Sequence, residues 1–247
     1  MHAPNIAAID DVLWHRLLAR EPGPDLPAPY DALLAPGRYV LGRIAQSLDG
    51  RIATESGHSF WISGTADILH THRLRALFDA IIVGAGTVRA DDPLLTTRHC
   101  SGPSPVRVII DSARRLRPDH RVFSGGPRTL LVCAADTTGP AHIGNAEVLP
   151  IQRNPAGGLD LPALLDALAA AGLPRVFIEG GGQTVSRFLA ADLLDRLHVT
   201  IAPMLLGAGV PAFTLPGLAR ADEARRLSWQ VHRLDADLLL DIQLRDR

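Results

Sequence analysis

The chain has 247 residues, 47% apolar and 21% charged, enough for a sizeable core in one large domain or two small ones. Its 26 acids and 25 bases nearly cancel, so it lacks the basic surplus of a dedicated nucleic-acid binder. Every base is arginine, which excludes a Schiff-base lysine, a pyridoxal anchor and a P-loop lysine. The two cysteines, Cys100 and Cys133, match no CxxC pair and no zinc spacing, and suit a reducing compartment. Asp10 and Asp11 stand where a signal peptide needs an apolar run, and no apolar run approaches the ~20 residues of a bilayer span. A cytoplasmic protein that touches neither membrane nor nucleic acid is expected.

In chain order, Ile9, Val12, Leu13, Leu17 and Leu18 share one side of a short helix over 9–20. Five prolines between residues 21 and 37 argue against regular structure there. Residues 1–37 therefore read as an extension and 38–247 as a single domain. From Arg38 onward strand and helix signals alternate. Strands are predicted over 38–47, 79–84, 106–111, 129–134, 175–180 and 195–205, and helices over 64–78, 159–172 and 181–193. Ser63 or Thr65 is placed to cap the 64–78 helix. Two apolar runs on either side of Asp235-Ala236 read as a closing antiparallel hairpin. Short apolar strands alternating with helices predict an α/β fold with a mostly parallel central sheet and flanking helices.

Three stretches at strand ends carry the chemistry. SLDGRIATESGHSFWISG, residues 47–64, packs two turn signals and an aromatic pair behind the first strand. VGAGTVRADDP and IEGGGQTVSRFL each give strand, glycine turn and helix, the order that turns backbone N–H groups toward a phosphate. The first is no dinucleotide fingerprint, because Arg89 stands where its third glycine belongs. The second adds the hydroxyls of Thr184 and Ser186, with Glu179 closing the strand before it. Arg73, Arg75, Arg89 and Arg98 flank the first turn, and an arginine fork can hold two phosphate oxygens. No metal is predicted: Asp91-Asp92 has no third ligand at metal spacing, and His70 and His72 diverge on one helix. The HxE and PCxxC signature of a zinc deaminase and the GxSxG of a serine hydrolase are absent.

These stretches, with VIIDS and LHVTIAPMLLG, occur in the order of the riboflavin-biosynthesis pyrimidine reductase family, which the chain resembles over most of residues 40–210. The resemblance implies a dihydrofolate-reductase-like fold and a stand-alone reductase without the deaminase domain. It implies that NADPH reduces the ribose C1′ of 5-amino-6-(5-phosphoribosylamino)uracil to the ribitylamino form. The alternatives are the 2,5-diamino precursor, another pterin or pyrimidine, or a non-catalytic NADPH-binding protein.

By the same resemblance, Ser59, Arg75, Leu95, Arg98 and Glu179 would bind substrate. Arg75 and Arg98 would meet its phosphate and Glu179 its pyrimidine edge. Ala45, Trp61, Thr87, Asp91, Ser112, Gly181, Gly182, Gln183 and Thr184 would bind the cofactor. From charge and position rather than from the resemblance, Arg114 and Arg115 are expected to read its 2′-phosphate with Ser112. Asp49, Arg51 and Glu179 are the catalytic candidates, Arg51 standing where many relatives have lysine. A homodimer is expected from the family, and pairing would cover apolar edge strands.

Overall fold

The computed structural model describes residues 5–6, 9–60 and 62–245. The chain opens with helices α1 (Asp11–Leu18) and α2 (Ala28–Asp31), then strands β1 (Tyr39–Ser47) and β2 (Arg51–Thr54). Helix α3 (Thr65–Leu77), strand β3 (Ala80–Gly84), helix α4 (Ala85–Asp91), strand β4 (Val106–Ile110) and strand β5 (Thr129–Ala134) follow. Next come β6 (His142–Ile143), β7 (Ala146–Ile151), α5 (Leu161–Ala170), β8 (Arg175–Glu179) and α6 (Gly182–Ala190). The chain closes with β9 (Arg196–Ala202), β10 (Gly209–Pro211), β11 (Trp229–Leu234) and β12 (Asp237–Gln243). The described residues form two compact units, one from residues up to 35, 40–70 and 182 onward, the other from 36–39 and 71–181.

In the first unit β9 is the pivot. It runs parallel to β1 on one side and antiparallel to β12 on the other, so Thr200 sits opposite both Ala45 and Leu239. β12 turns back from β11 at Asp235, whose φ of 57° closes the predicted hairpin. Leu41, Ile44, Leu197 and Leu239 fill the core. The N-terminal segment contributes to it: Leu17 and Tyr30 are 0% exposed and Leu33 is 1%. Prolines do not bar helix there, because Pro29 falls in the first turn of α2, where its missing N–H has no intrahelical partner to lose. The Tyr30 hydroxyl meets His70 Nδ1 at 2.6 Å, and His70 Nε2 meets His198 Nδ1 at 3.2 Å.

A buried ion pair joins Arg43 on β1 to Asp67 on α3, and Thr200 Oγ1 donates to the same carboxylate at 2.7 Å. Burial pushes Asp67 up, but Arg43 and the hydroxyls of Ser63 and Thr200 outweigh it and hold the carboxyl ionised. Ser63 thus bonds Asp67, and Asp237 accepts the Gly64 N–H at 2.7 Å at the head of α3.

The second unit orders its strands β8-β3-β4-β5-β7-β6, parallel throughout except for the final β7–β6 pair. Ile81, Ile82 and Val83 of β3 are all fully buried, as expected for a central parallel strand. β7 was not predicted. Pro150 and the exposed Glu147 interrupt its apolar pattern, which a strand this close to the sheet edge tolerates. The predicted 195–205 strand stops at Ala202, where Pro203 follows and Met204 N–H turns back onto the Ala202 carbonyl at 2.8 Å.

Candidate active site

In the second unit, α3 presents His72 and Arg75 three residues apart, on one helical face. Arg75 meets Glu179, the last residue of β8, through two parallel bonds: Nε to Oε2 at 2.7 Å and Nη2 to Oε1 at 2.5 Å. Its Nη1 donates to the Thr96 carbonyl at 2.9 Å. Burial pulls the Arg75 pKa down, but the Glu179 carboxylate overrides it and the guanidinium is held charged. The fork is therefore fixed in direction by the acid, and the acid by the fork. The sequence reading gave these two residues separate ligand groups. The structure makes them one ion pair.

Leu95 and Arg98 lie on the loop after α4. Asp92 and Leu95 have φ of 38° and 55°, a left-handed backbone that costs an L-residue roughly 1–2 kcal/mol. Leu95 is 1% exposed, so its side chain is locked inward while the backbone bends. Strain of this kind persists where neighbours over-determine it, and it concentrates at ligand sites. Thr96 is tied by Arg75, Thr97 N–H donates to Ser104 Oγ at 3.1 Å, and Arg98 N–H donates to His72 Nδ1 at 2.9 Å. The Arg98 guanidinium is exposed, and partial desolvation with the Arg75 and Arg121 charges lowers its pKa.

Thr87 and Asp91 lie on α4, whose N-cap, Gly84, offers no side-chain bond to the first turn. A Cβ added at Gly86 would meet nothing within 4 Å, so the approach to this turn is open. Ser112 follows β4 and its carbonyl accepts from Ala134 N–H at 3.0 Å and Thr137 Oγ1 at 3.1 Å. Arg114 donates to the Pro140 carbonyl at 2.5 Å, while Arg115 is exposed. Gly181 takes a φ of 69°, a left-handed conformation that glycine adopts without the cost of a Cβ.

In the first unit, Gly182 opens α6 for a packing reason: a Cβ there would lie 2.6 Å from the Ala212 carbonyl oxygen. Gln183 is exposed and Thr184 half-buried on the same turn. Ser186 faces inward, 1% exposed, and its Oγ accepts the Thr214 N–H at 2.8 Å. That hydroxyl serves the fold.

Asp49 accepts from Ser47 Oγ at 2.5 Å, Leu206 N–H at 3.1 Å and Gly207 N–H at 2.7 Å. Those bonds hold its carboxyl at about 2. Arg51 Nε donates to the Gly207 carbonyl at 3.1 Å. Two of the three catalytic candidates, Asp49 and Arg51, therefore fasten the 203–209 loop to the turn between β1 and β2. Ala45 sits half-buried on β1, Ser59 half-buried in the following loop, and Trp61 lies outside the described residues.

His72 is the residue that sequence reasoning weighed only as a metal ligand. The i, i+3 pairing of His72 with Arg75 was the available signal. It is 3% exposed, packs edge-on against His99 at 4.5 Å, and is pushed down to about 3 by burial and then by Arg75, His99 and Arg98. No cluster of three or more His, Cys, Asp or Glu residues that could hold a metal occurs among the described residues.

A mostly parallel α/β scaffold, with an arginine–carboxylate fork at one strand end and a glycine turn at another, has the layout of a small-molecule site at the carboxyl ends of its strands. The RibD C-terminal domain family matches residues 38–237, and the chain belongs to that family. It is 36% identical over 213 residues to the 2,5-diamino-6-ribosylamino-4(3H)-pyrimidinone 5′-phosphate reductase of Methanothermobacter thermautotrophicus, covering 82% of this chain and 96% of that protein. It is 35% identical over 214 residues to the riboflavin biosynthesis protein RibD of Mycobacterium tuberculosis, covering 84% of this chain and 55% of that protein. It therefore spans about half the length of that relative.

Among solved structures, the diaminohydroxyphosphoribosylaminopyrimidine deaminase/5-amino-6-(5-phosphoribosylamino)uracil reductase of Thermotoga maritima superposes with a TM-score of 0.71 at 27% identity. That match covers 84% of this chain and 56% of the other. The Methanothermobacter and Thermotoga relatives are named reductases, so the chain is an oxidoreductase by family.

Proposed function

We propose that the chain is an NADPH-dependent reductase of riboflavin biosynthesis that converts 5-amino-6-(5-phosphoribosylamino)uracil to its ribitylamino product. The observation that carries this reading is the Arg75–Glu179 fork beside the pinned loop that bears the exposed Arg98. Glu179 is the acceptor for N–H groups on the pyrimidine edge, and Arg75 holds its carboxylate in one orientation. Arg98 is an exposed cation assigned to the phosphate, and Leu95 and Ser59 are the other residues that the family resemblance assigns to the substrate.

The open turn at Gly86 and the absence of a side-chain cap on α4 fit a dinucleotide, because a phosphate can approach backbone N–H groups there. By the family resemblance, Thr87, Asp91, Ser112, Gly181, Ala45, Trp61, Gly182, Gln183 and Thr184 are the residues assigned to the cofactor. When bound, NADPH supplies the hydride that reduces the substrate's C1′. The chain's own residues bind and orient the substrate. Asp49 and Arg51 act by ordering the 203–209 loop.

The same reading makes the protein a cytoplasmic homodimer, with residues 1–37 as an extension to one reductase domain. The exposed Trp229 on β11 supports pairing of that edge. A monomeric mass by light scattering would count against it. No helix among the described residues is long and apolar enough to cross a membrane.

The test is NADPH oxidation with 5-amino-6-(5-phosphoribosylamino)uracil and its 2,5-diamino precursor side by side. Turnover of the first supports the reading, and turnover of neither overturns it. The precursor is the second reading, favoured by similarity to the archaeal 2,5-diamino-pyrimidinone reductase over 96% of that protein's length.

A further inference from the structure

We propose that His72 is a positioning residue for the substrate's anionic group, acting through the Arg98 backbone. The inference rests on the reading of Arg98 as the cation that meets the phosphate. Three consecutive residues, Thr96, Thr97 and Arg98, are each pinned, Thr97 by Ser104 and the Pro103 carbonyl, and α3 holds the other two through Arg75 and His72. The His72 bond is made by the main chain of the very residue whose side chain would hold the ligand. It fixes where the Arg98 side chain starts, while leaving the guanidinium free to move.

The bond also dictates the state of the imidazole. Nδ1 accepts the Arg98 N–H, so it carries no proton, and the ring must be the neutral Nε2–H form. Protonation would turn that acceptor into a donor facing an N–H. The groups around the ring resist it: Arg75 on its own helix and Arg98 with His99 on the loop outweigh Glu179 from β8, which favours it. The buried position and the edge-on His99 ring, 4.5 Å away, keep the imidazole from rotating to offer the other nitrogen. His72 thereby couples the loop to the helix that also directs Glu179 through Arg75, so one helical face sets both ends of the proposed substrate contact.

The test compares H72N, H72Q and H72L with R98A, using NADPH oxidation by the full chain. The Asn amide oxygen can occupy the place of Nδ1, whereas Gln puts its oxygen one bond further out and Leu has none. H72N is expected to keep KM within about twofold of wild type, while H72Q and H72L raise it about tenfold with kcat held within about threefold. The rise should disappear with the dephosphorylated substrate. A KM that follows side-chain bulk, with H72Q better than H72N, would overturn the proposal by reducing His72 to packing. So would an effect of equal size on the dephosphorylated substrate. If R98A leaves KM unchanged, the reading of Arg98 itself fails. If R98A raises KM and H72L does not, Arg98 stands and the His72 proposal falls. Should H72L not fold, the H72N and H72Q pair decides.

Discussion

Arg75 and Glu179 form a two-point contact that neither lysine nor glutamine can reproduce. Lysine offers a point charge in place of a planar fork, and glutamine leaves the buried guanidinium facing a neutral amide. The two side chains are 9% and 15% exposed, so breaking the pair by E179Q should cost near the low end of the ~3–5 kcal/mol typical of truncated buried pairs. Both the denaturant midpoint and kcat/KM are expected to fall. Arg98 behaves differently because it is exposed. R98A should leave stability within about 0.5 kcal/mol of wild type. It should raise KM for the phosphorylated substrate roughly tenfold to a hundredfold, the worth of a hydrogen bond to a charged group. Steady-state kinetics beside chemical denaturation separates the two behaviours.

At the scale of elements, the two glycine turns look alike in sequence and differ in structure. Gly182 has a carbonyl oxygen 2.6 Å from where a Cβ would sit, so G182A should destabilise the packing of α6 by about 1–3 kcal/mol. Gly86 faces open space, and alanine there should leave stability unchanged or slightly improved. If G86A instead weakens NADPH binding in a titration while the melting temperature holds, the space at that turn belongs to the cofactor. The 203–209 loop gives a third contrast. Asp49 alone accepts from the Leu206 and Gly207 N–H groups, so D49A should speed proteolytic nicking of this loop several-fold before any global unfolding.

For the whole molecule, buried histidines set the response to acid. His72 is held down to about 3 by burial and neighbouring cations, and burial also lowers His232. An unfolded histidine titrates near 6.5, so between those values the unfolded chain binds more protons than the folded one and stability rises with pH. The stability is fully present above about pH 6.5 and is lost progressively toward about pH 3. Melting temperature should therefore drop between about pH 7 and about pH 5, and H72N should drop less than wild type across that window. Equal slopes in the two proteins would show that His72 does not carry the effect.

The sequence by itself determined the α/β class, most of the strands and the closing hairpin, because buried parallel strands write themselves as apolar runs and turns as Gly, Pro and Asp. It missed β7, where an edge position relaxes the apolar pattern, and it ended β9 late, because the turn at Pro203 follows from a main-chain bond. It also placed Arg75, Glu179 and the loop of Arg98 among the functional candidates. Only the tertiary structure decided how they combine. Arg75 and Glu179 are 104 residues apart and become one fork because α3 and the end of β8 are neighbours in the fold. His72 and Arg98 are 26 apart and meet through a backbone N–H, which leaves no mark in residue identity. Side-chain type records local preference and burial. Partnership across long separations is set by packing, and the role of each polar residue here follows from its partner.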